Sequence, residues 1–173
     1  MELWDVYDIN RNKTGQTAVR GEKLPGGGYH LVVHVCILGS DGRMLIQQRQ
    51  PFKHGFSNMW DVSCGGSALS GETSAQAAMR EAFEEIGVKI RLNGVRPHYS
   101  VSFDEGYDDW YVVKADPDIS SLKLQYEEVQ AVRWADEDEI FAMMDSGAFI
   151  PYFKGFISTI FHTADQYGTI REK

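Results

Sequence analysis

The 173-residue chain lacks an excess of basic charge, a long apolar run and more than a pair of cysteines, and it has only 5 prolines. Each shortage removes a class of function. Lys and Arg total 17 against 25 Asp and Glu, a formal net charge of −8. Nucleic acids and anionic membranes need clustered cations, so neither is expected as a partner. The longest apolar run, Leu31 to Leu38, is broken by His34. It falls far short of the ~20 residues that a spanning helix needs. The opening residues Met1 to Asp5 carry neither a basic region nor an apolar block, so no secretory signal is expected. Cys36 and Cys64 supply neither a disulfide framework nor a zinc ligand set, and a reducing cytoplasmic setting is the resulting expectation. No repeat, low-complexity block or Pro/Ser-rich linker divides the chain.

The composition is sufficient for a globular core: 43% of residues are hydrophobic and 24% charged, ordinary values for a folded domain. One domain over residues 1–173 is expected, with 1–28 as an N-terminal strand or hairpin extension and 29–173 as the core. Trp4, Val6 and Ile9 alternate with polar residues as in a half-buried strand, and the turn cluster Leu24-Pro25-Gly26-Gly27-Gly28 separates this N-terminal piece from the main body. The Val-, Leu- and Ile-rich run His30 to Leu38 reads as a central strand, turned by Gly39-Ser40-Asp41-Gly42 into a hairpin partner at Arg43 to Gln48. Short strands are expected at Trp60 to Ser63 and Val129 to Trp134. A second hairpin, Val95 to Phe103 with Trp110 to Lys114, crosses the turn at Asp104-Glu105-Gly106. Gly65 to Gly71 reads as a tight loop. Thr73 and Gln76 form a capping box for a helix from Ser74 to Ile86, stopped by Gly87. Helices are also expected at Asp136 to Asp145 and Phe153 to Tyr167. Three helices mixed with hairpins, without regular βαβ units, define an α+β fold, an α/β/α sandwich around a mixed sheet.

The chemistry lies in Gly66-x5-Glu72-x7-Arg80-Glu81-Ala82-x-Glu84-Glu85-x-Gly87-Val88. At 100° per residue, Glu81, Glu84 and Glu85 fall within about a 100° arc of one helical face. Carboxylates crowded in this way repel one another, and a hard cation such as Mg²⁺ is the natural compensation because it prefers oxygen ligands. The opposite face, with Ala75, Ala78, Met79, Ala82, Phe83 and Ile86, is expected to lie on the sheet. Arg80 is placed to reach Glu84 one turn on, or Glu72 in the loop through a bidentate pair. A solvated Glu-rich helix is the ordinary alternative. Against it, seven fixed positions are filled over 22 residues, which chance achieves at on the order of one start position in 10⁸.

This stretch resembles the signature of the Nudix hydrolases. The resemblance implies an α/β/α sandwich over about residues 28 to 165. It implies cleavage of a nucleoside diphosphate linked to another moiety, or of a related small-molecule pyrophosphate, with Mg²⁺ or Mn²⁺ as cofactor. Carried over by position, Glu81, Glu84 and Glu85 are implied metal ligands, with the carbonyl of Gly66 (or Gly65) as a further one. Glu81 or a later Glu is implied as the base, and Glu72 and Arg80 as an orienting pair. The flanking runs Tyr7-Asp8-Ile9-Asn10, Arg20-Gly21-Glu22, Tyr29-His30-Leu31, Leu45-Ile46-Gln47-Gln48-Arg49 and Trp60-Asp61-Val62-Ser63 resemble the branch that contains the isopentenyl-diphosphate isomerases and their hydrolase-like relatives.

Other residues are weaker candidates. His30 and His34 share a strand face but lie about 13 Å apart, too far to ligate one ion together. The isomerases have a metal-binding histidine at the position of His30, while a simple polar contact is the alternative. His34 reads as a core-edge residue. Glu128, before the strand at Val129, is a candidate for an extra ligand or base, and Arg49, Lys53 and Trp60 are candidates for substrate contact. Asp104, Glu105, Asp108 and Asp109 read as an exposed turn, with Asp108 and Asp109 also placed to face the site. A homodimer through the appended strands or the aromatic final helix is compatible with the pattern. The alternative functions are an isopentenyl-diphosphate isomerase and a non-catalytic nucleotide-binding module. Against the isomerase, the position seven residues before Glu72, which bears a catalytic cysteine in those enzymes, is Gly65. Cys64 is displaced by one, which turns its side chain to the other side of a strand.

Overall fold

The computed structural model describes residues 2–168 and 170. Two strands, β1 (Leu3–Tyr7) and β2 (Lys13–Val19), pair as a separate antiparallel hairpin. The remaining strands form one mixed sheet of seven: β3 (His30–Leu38), β4 (Met44–Arg49), β5 (Trp60–Asp61), β6 (Cys64–Ser67), β7 (Tyr99–Phe103), β8 (Gly106–Lys114) and β9 (Val129–Ala135). β3 lies at its centre. It runs parallel to β8 along its whole length, and its other edge is shared by β4 and β6, both antiparallel. Gly65, Gly66 and Ser67, expected as part of a tight loop because of their turn-like composition, lie with Cys64 in strand β6. The segment becomes a strand through its four-residue register with Val32 to Val35, a contact that no local propensity encodes.

Alternation along β3 creates two cores. Leu31, Val33, Val35 and Ile37 pack on Ala77, Ala78, Ala82 and Ile86 of α1 (Ser74–Ile86). Cys36 and Leu38 face the other way, with Trp110 and Val112, against Ile140 of α2 (Glu137–Asp145) and Ile157 and Ile160 of α3 (Lys154–His162). Burial of the β3 residues on both faces explains why that strand reads as a nearly continuous apolar run. The result is the expected α/β/α sandwich. No helix among the described residues is long and apolar enough to cross a membrane.

Helix α1 begins and ends where its local signals place it. Thr73 Oγ1 accepts from Gln76 N while Gln76 Oε1 accepts from Thr73 N, and Gly87 closes the helix at φ 74°. Its buried stripe differs from the one expected. Phe83 is 52% exposed, with Lys89 over its ring, whereas Ala77 and Glu85 are buried. The Ala-rich face lets α1 approach the sheet closely, and Phe83 lies at the margin of that contact.

The N-terminal hairpin is tied to the main sheet at its turn. Arg11, at φ 64°, pairs with Asp109, whose side chain is 1% exposed, and Ser100 Oγ donates to the same carboxylate at 2.6 Å. Tyr107 Oη donates to the Asp8 carbonyl at 2.7 Å. Asp108 and Asp109 therefore do not form an exposed turn. They lie on β8, one facing His34 at 2.7 Å and the other buried beneath Arg11. Removing Arg11 leaves a buried carboxylate with only a hydroxyl and its remaining hydration. Arg11→Ala is therefore expected to destabilise the fold by about 3 kcal/mol, read from urea denaturation midpoints, and an unchanged midpoint would show that the pair does not anchor the hairpin.

Candidate active site

Helix α1 presents its acidic face beside β6, and the two elements bound a small polar cleft. Its walls include Gly65, Gly66 and Ser67 of β6, Arg80, Glu81, Glu84 and Glu85 of α1, and Gln125 and Glu128 before β9. Glu2 and Arg20, from the open end of the N-terminal hairpin, complete it. The bare backbone of Gly66 matters: a Cβ there would collide with the Glu81 carboxylate. The carboxylate therefore lies directly against the strand.

Arg80 organises the acids. Its Nε and Nη2 donate to the two Glu72 oxygens at 2.8 and 3.0 Å, a bidentate pair. Nη1 donates to Glu81 at 2.9 Å and to Glu84 at 3.0 Å, and Nη2 also reaches the Ser67 carbonyl at 3.1 Å. Glu72 in turn accepts from Leu69 N at 2.8 Å, which closes the loop between β6 and α1. Strand, loop and helix are thus joined through one guanidinium.

Glu85 is held differently. It is buried, and one of its oxygens accepts from Gln47 Nε2 at 3.0 Å and Gly65 N at 3.2 Å. Burial, reinforced by the Glu81 charge, pushes its pKa up to about 8. Burial also raises Glu81 above its ordinary value, against the opposing pull of Arg80. Glu84 is half exposed. Glu128 lines the cleft and pairs with Lys53 from the long loop after β4. Among the described residues, no group of three acidic, histidine or cysteine side chains is gathered closely enough to hold a metal ion; Arg80 lies among the carboxylates instead. The donor chemistry nevertheless fits a hard divalent cation: clustered carboxylates, one buried and one partly buried and both with raised pKa values, lie beside the glycine backbone of β6.

Three expected substrate residues have other partners. His30 stacks on Trp4 at 4.4 Å and meets Phe103 edge-on, so it lies under the hairpin. Trp60 packs against the α2/α3 core beneath the Arg133 guanidinium. Arg49 lies 3.7 Å from Asp61, with its Nε buried. Apolar or charged neighbours from distant segments capture each of these side chains, and sequence spacing does not reveal that. His34 sits in a polar cluster: its ring meets Asp108 at 2.7 Å and Tyr152 Oη at 3.4 Å, and stacks on Trp110. Glu2 and Gln125 line the cleft with no motif to mark them, while Arg20 and Gln47 belong to runs that resemble the isomerase branch without a role assigned there, and the buried Gln47 meets the site through Glu85. Only the pairing of the hairpin ends and the β4 register reveal them.

Comparison with known proteins gives the family of the chain. The NUDIX domain family matches residues 28–153, and the chain belongs to that family. An uncharacterized Nudix hydrolase of Listeria monocytogenes is 49% identical over 162 residues, covering 94% of this chain and 95% of the relative. An isopentenyl-diphosphate Delta-isomerase of Halorhodospira halophila is 37% identical over 95 residues, covering 55% of this chain and 54% of that one. The crystal structure of a Deinococcus radiodurans protein superposes with a TM-score of 0.71 at 24% identity, covering 95% of this chain and all of the other, and supports the fold. The chain is a Nudix hydrolase, and such enzymes generally act on pyrophosphate bonds with divalent ions such as Mg²⁺ or Mn²⁺.

The raised Glu85 pKa has a definite sign in stability. The folded state holds the proton more tightly than the unfolded chain does. This contribution is therefore most favourable below the ordinary carboxylate value of 4.5, and it declines as pH rises toward about 8. In metal-free buffer, the melting temperature of the wild type minus that of Glu85→Gln should fall from pH 5 to about pH 8 and then level. A difference independent of pH would contradict the burial argument.

Proposed function

We propose that the chain is a divalent-metal-dependent pyrophosphohydrolase acting on a nucleoside diphosphate linked to another moiety, or on a related small-molecule pyrophosphate. The observation that carries this reading is the convergence of Glu72, Glu81 and Glu84 on Arg80 beside the Gly66 backbone, with Glu85 behind them. When bound, a hard cation such as Mg²⁺ or Mn²⁺, held by Glu81, Glu84, Glu85 and the Gly66 carbonyl, supplies charge neutralisation for the pyrophosphate and acidity to the attacking water. Glu81 accepts that water's proton at its carboxylate. Its raised pKa brings it closer to neutrality than an exposed Glu, as general-base work requires. Arg80 and Glu72 position Glu81 and keep the loop closed on the helix. Glu128, paired with Lys53, lines the same cleft as a further acidic group.

The isomerase alternative requires a reactive thiol at the site. Cys64 is fully buried among the residues packed under α1, and burial raises its pKa well above the ordinary thiol value. A buried thiol held neutral is a poor proton carrier. Its side chain belongs to the core rather than to the cleft.

The test is a panel of nucleotide-linked and simple pyrophosphates with Mg²⁺ or Mn²⁺, together with isopentenyl diphosphate. Hydrolysis of at least one panel compound is expected, abolished by chelator and lowered about 10³-fold in kcat by Glu81→Gln without loss of fold. No dimethylallyl diphosphate should form. An inert panel overturns the hydrolytic assignment, a fully active Glu81→Gln removes Glu81 from the mechanism, and allylic product lost in Cys64→Ala restores the isomerase.

A further inference from the structure

We propose that Arg20, at the open end of the N-terminal hairpin, is a ligand for the substrate's diphosphate and that Glu2 is the carboxylate it exchanges for that anion. The inference rests on the pyrophosphohydrolase reading and deepens it. Five carboxylates, Glu2, Glu81, Glu84, Glu85 and Glu128, line the cleft against two guanidiniums, Arg20 and Arg80. Arg80 has no capacity left. A guanidinium has five N–H donors, and those of Arg80 go to Glu72 twice, to Glu81, to Glu84 and to the Ser67 carbonyl. It can meet a phosphate only by releasing a carboxylate that it positions.

Arg20 stands differently. Among the described residues its side chain donates only through Nη1, to Glu2 at 2.8 Å, and both side chains are about half exposed, at 53% and 48%. The rest of its fork is available to a planar pair of phosphate oxygens. An exposed Arg–Glu pair is ordinarily a weak surface contact. Two observations set this one apart: it lies in the wall of the carboxylate cleft, and the hairpin that carries it is clamped to the loop bearing Glu72. Leu3 O accepts from Ser70 N at 2.7 Å, and Asp5 accepts from Ser70 Oγ at 2.7 Å and Gly71 N at 2.9 Å. Lys13 bridges Asp5 at 2.6 Å and the Glu72 carbonyl at 3.0 Å. Arg20 comes directly after the Leu3–Val19 pair and donates its own N–H to Glu2 O at 3.0 Å. Its backbone position is therefore fixed relative to the acidic helix face.

This arrangement divides the work of holding an anion. Charge neutralisation on the carboxylate side leaves the far oxygens of a diphosphate facing the hairpin. There the Arg20 fork offers directional donors, and Glu2 competes with the anion for the guanidinium that it holds. Arg20 thus contributes to binding more than to the bond-breaking step. Substitution should raise KM while changing kcat little.

Steady-state kinetics on the best panel substrate and calorimetry with methylenediphosphonate plus Mg²⁺, a P–C–P analogue that cannot be hydrolysed, test the proposal together. Arg20→Ala is expected to raise KM and weaken methylenediphosphonate binding by about tenfold or more, the scale of one charge-assisted bidentate contact. Arg20→Lys should recover part of the loss, since it restores charge without the fork. Glu2→Gln should lower KM, and melting temperatures should stay at the wild-type value. Unchanged KM and analogue affinity in Arg20→Ala would overturn the proposal, as would a wild type that binds no methylenediphosphonate. If no panel compound is turned over yet Arg20→Ala loses analogue binding, the hydrolytic reading fails and the anion site stands.

Discussion

The structure of the site depends on how Arg80 is solvated by the protein. A half-buried guanidinium with all five donors engaged is held far more rigidly than a surface arginine. Its partners come from three different segments: the Ser67 carbonyl on β6, Glu72 in the loop and Glu81 and Glu84 on α1. Without a cation among them these acids would splay apart or take up protons. Arg80 offsets enough of that repulsion to keep Glu81 against Gly66, while Glu85, beyond its reach, is left buried and pushed toward neutrality.

The sandwich supplies the frame that makes this cluster possible. β3 packs on α1 through one face and on the α2/α3 side through the other, so the depth of α1 against the sheet is set by small residues, Ala77, Ala78 and Ala82. That close packing brings Glu85 into contact with Gln47 and Gly65. The N-terminal hairpin adds a second layer of constraint. It is tied at its turn to β8 through Arg11 and Asp109 and along β1 to the loop at Ser70 and Gly71. It thus delivers a wall to the cleft rather than hanging from the core.

Much of this is legible in the sequence where the signal is local. The limits of α1 are set by Thr73, Gln76 and Gly87, and β3 by its apolar run. The Gly66-to-Val88 spacing carries the family and the acidic cluster. Side chains whose neighbours are remote are not legible. His30 can be placed on a strand, yet nothing nearby in sequence announces that Trp4 stacks on it. Phe83 fits the apolar stripe by angle, but the helix packs on the sheet through Ala77, Ala78 and Ala82, and Phe83 is half exposed beside that contact. β6 and the cleft residues Glu2 and Arg20 depend on strand registers fixed only by the assembled sheet and hairpin.

If the α1 carboxylates form a site for a hard divalent cation, the protein should bind Mn²⁺ through them whatever its substrate. Electron paramagnetic resonance of Mn²⁺ measures this directly. Titrated with the wild-type protein, the free Mn²⁺ signal should fall and be restored by excess Mg²⁺, and the doubly substituted protein Glu81→Gln, Glu85→Gln should leave it unchanged while remaining folded. Equal Mn²⁺ binding by the wild type and the double variant, or none by the wild type, would contradict a cation site on α1.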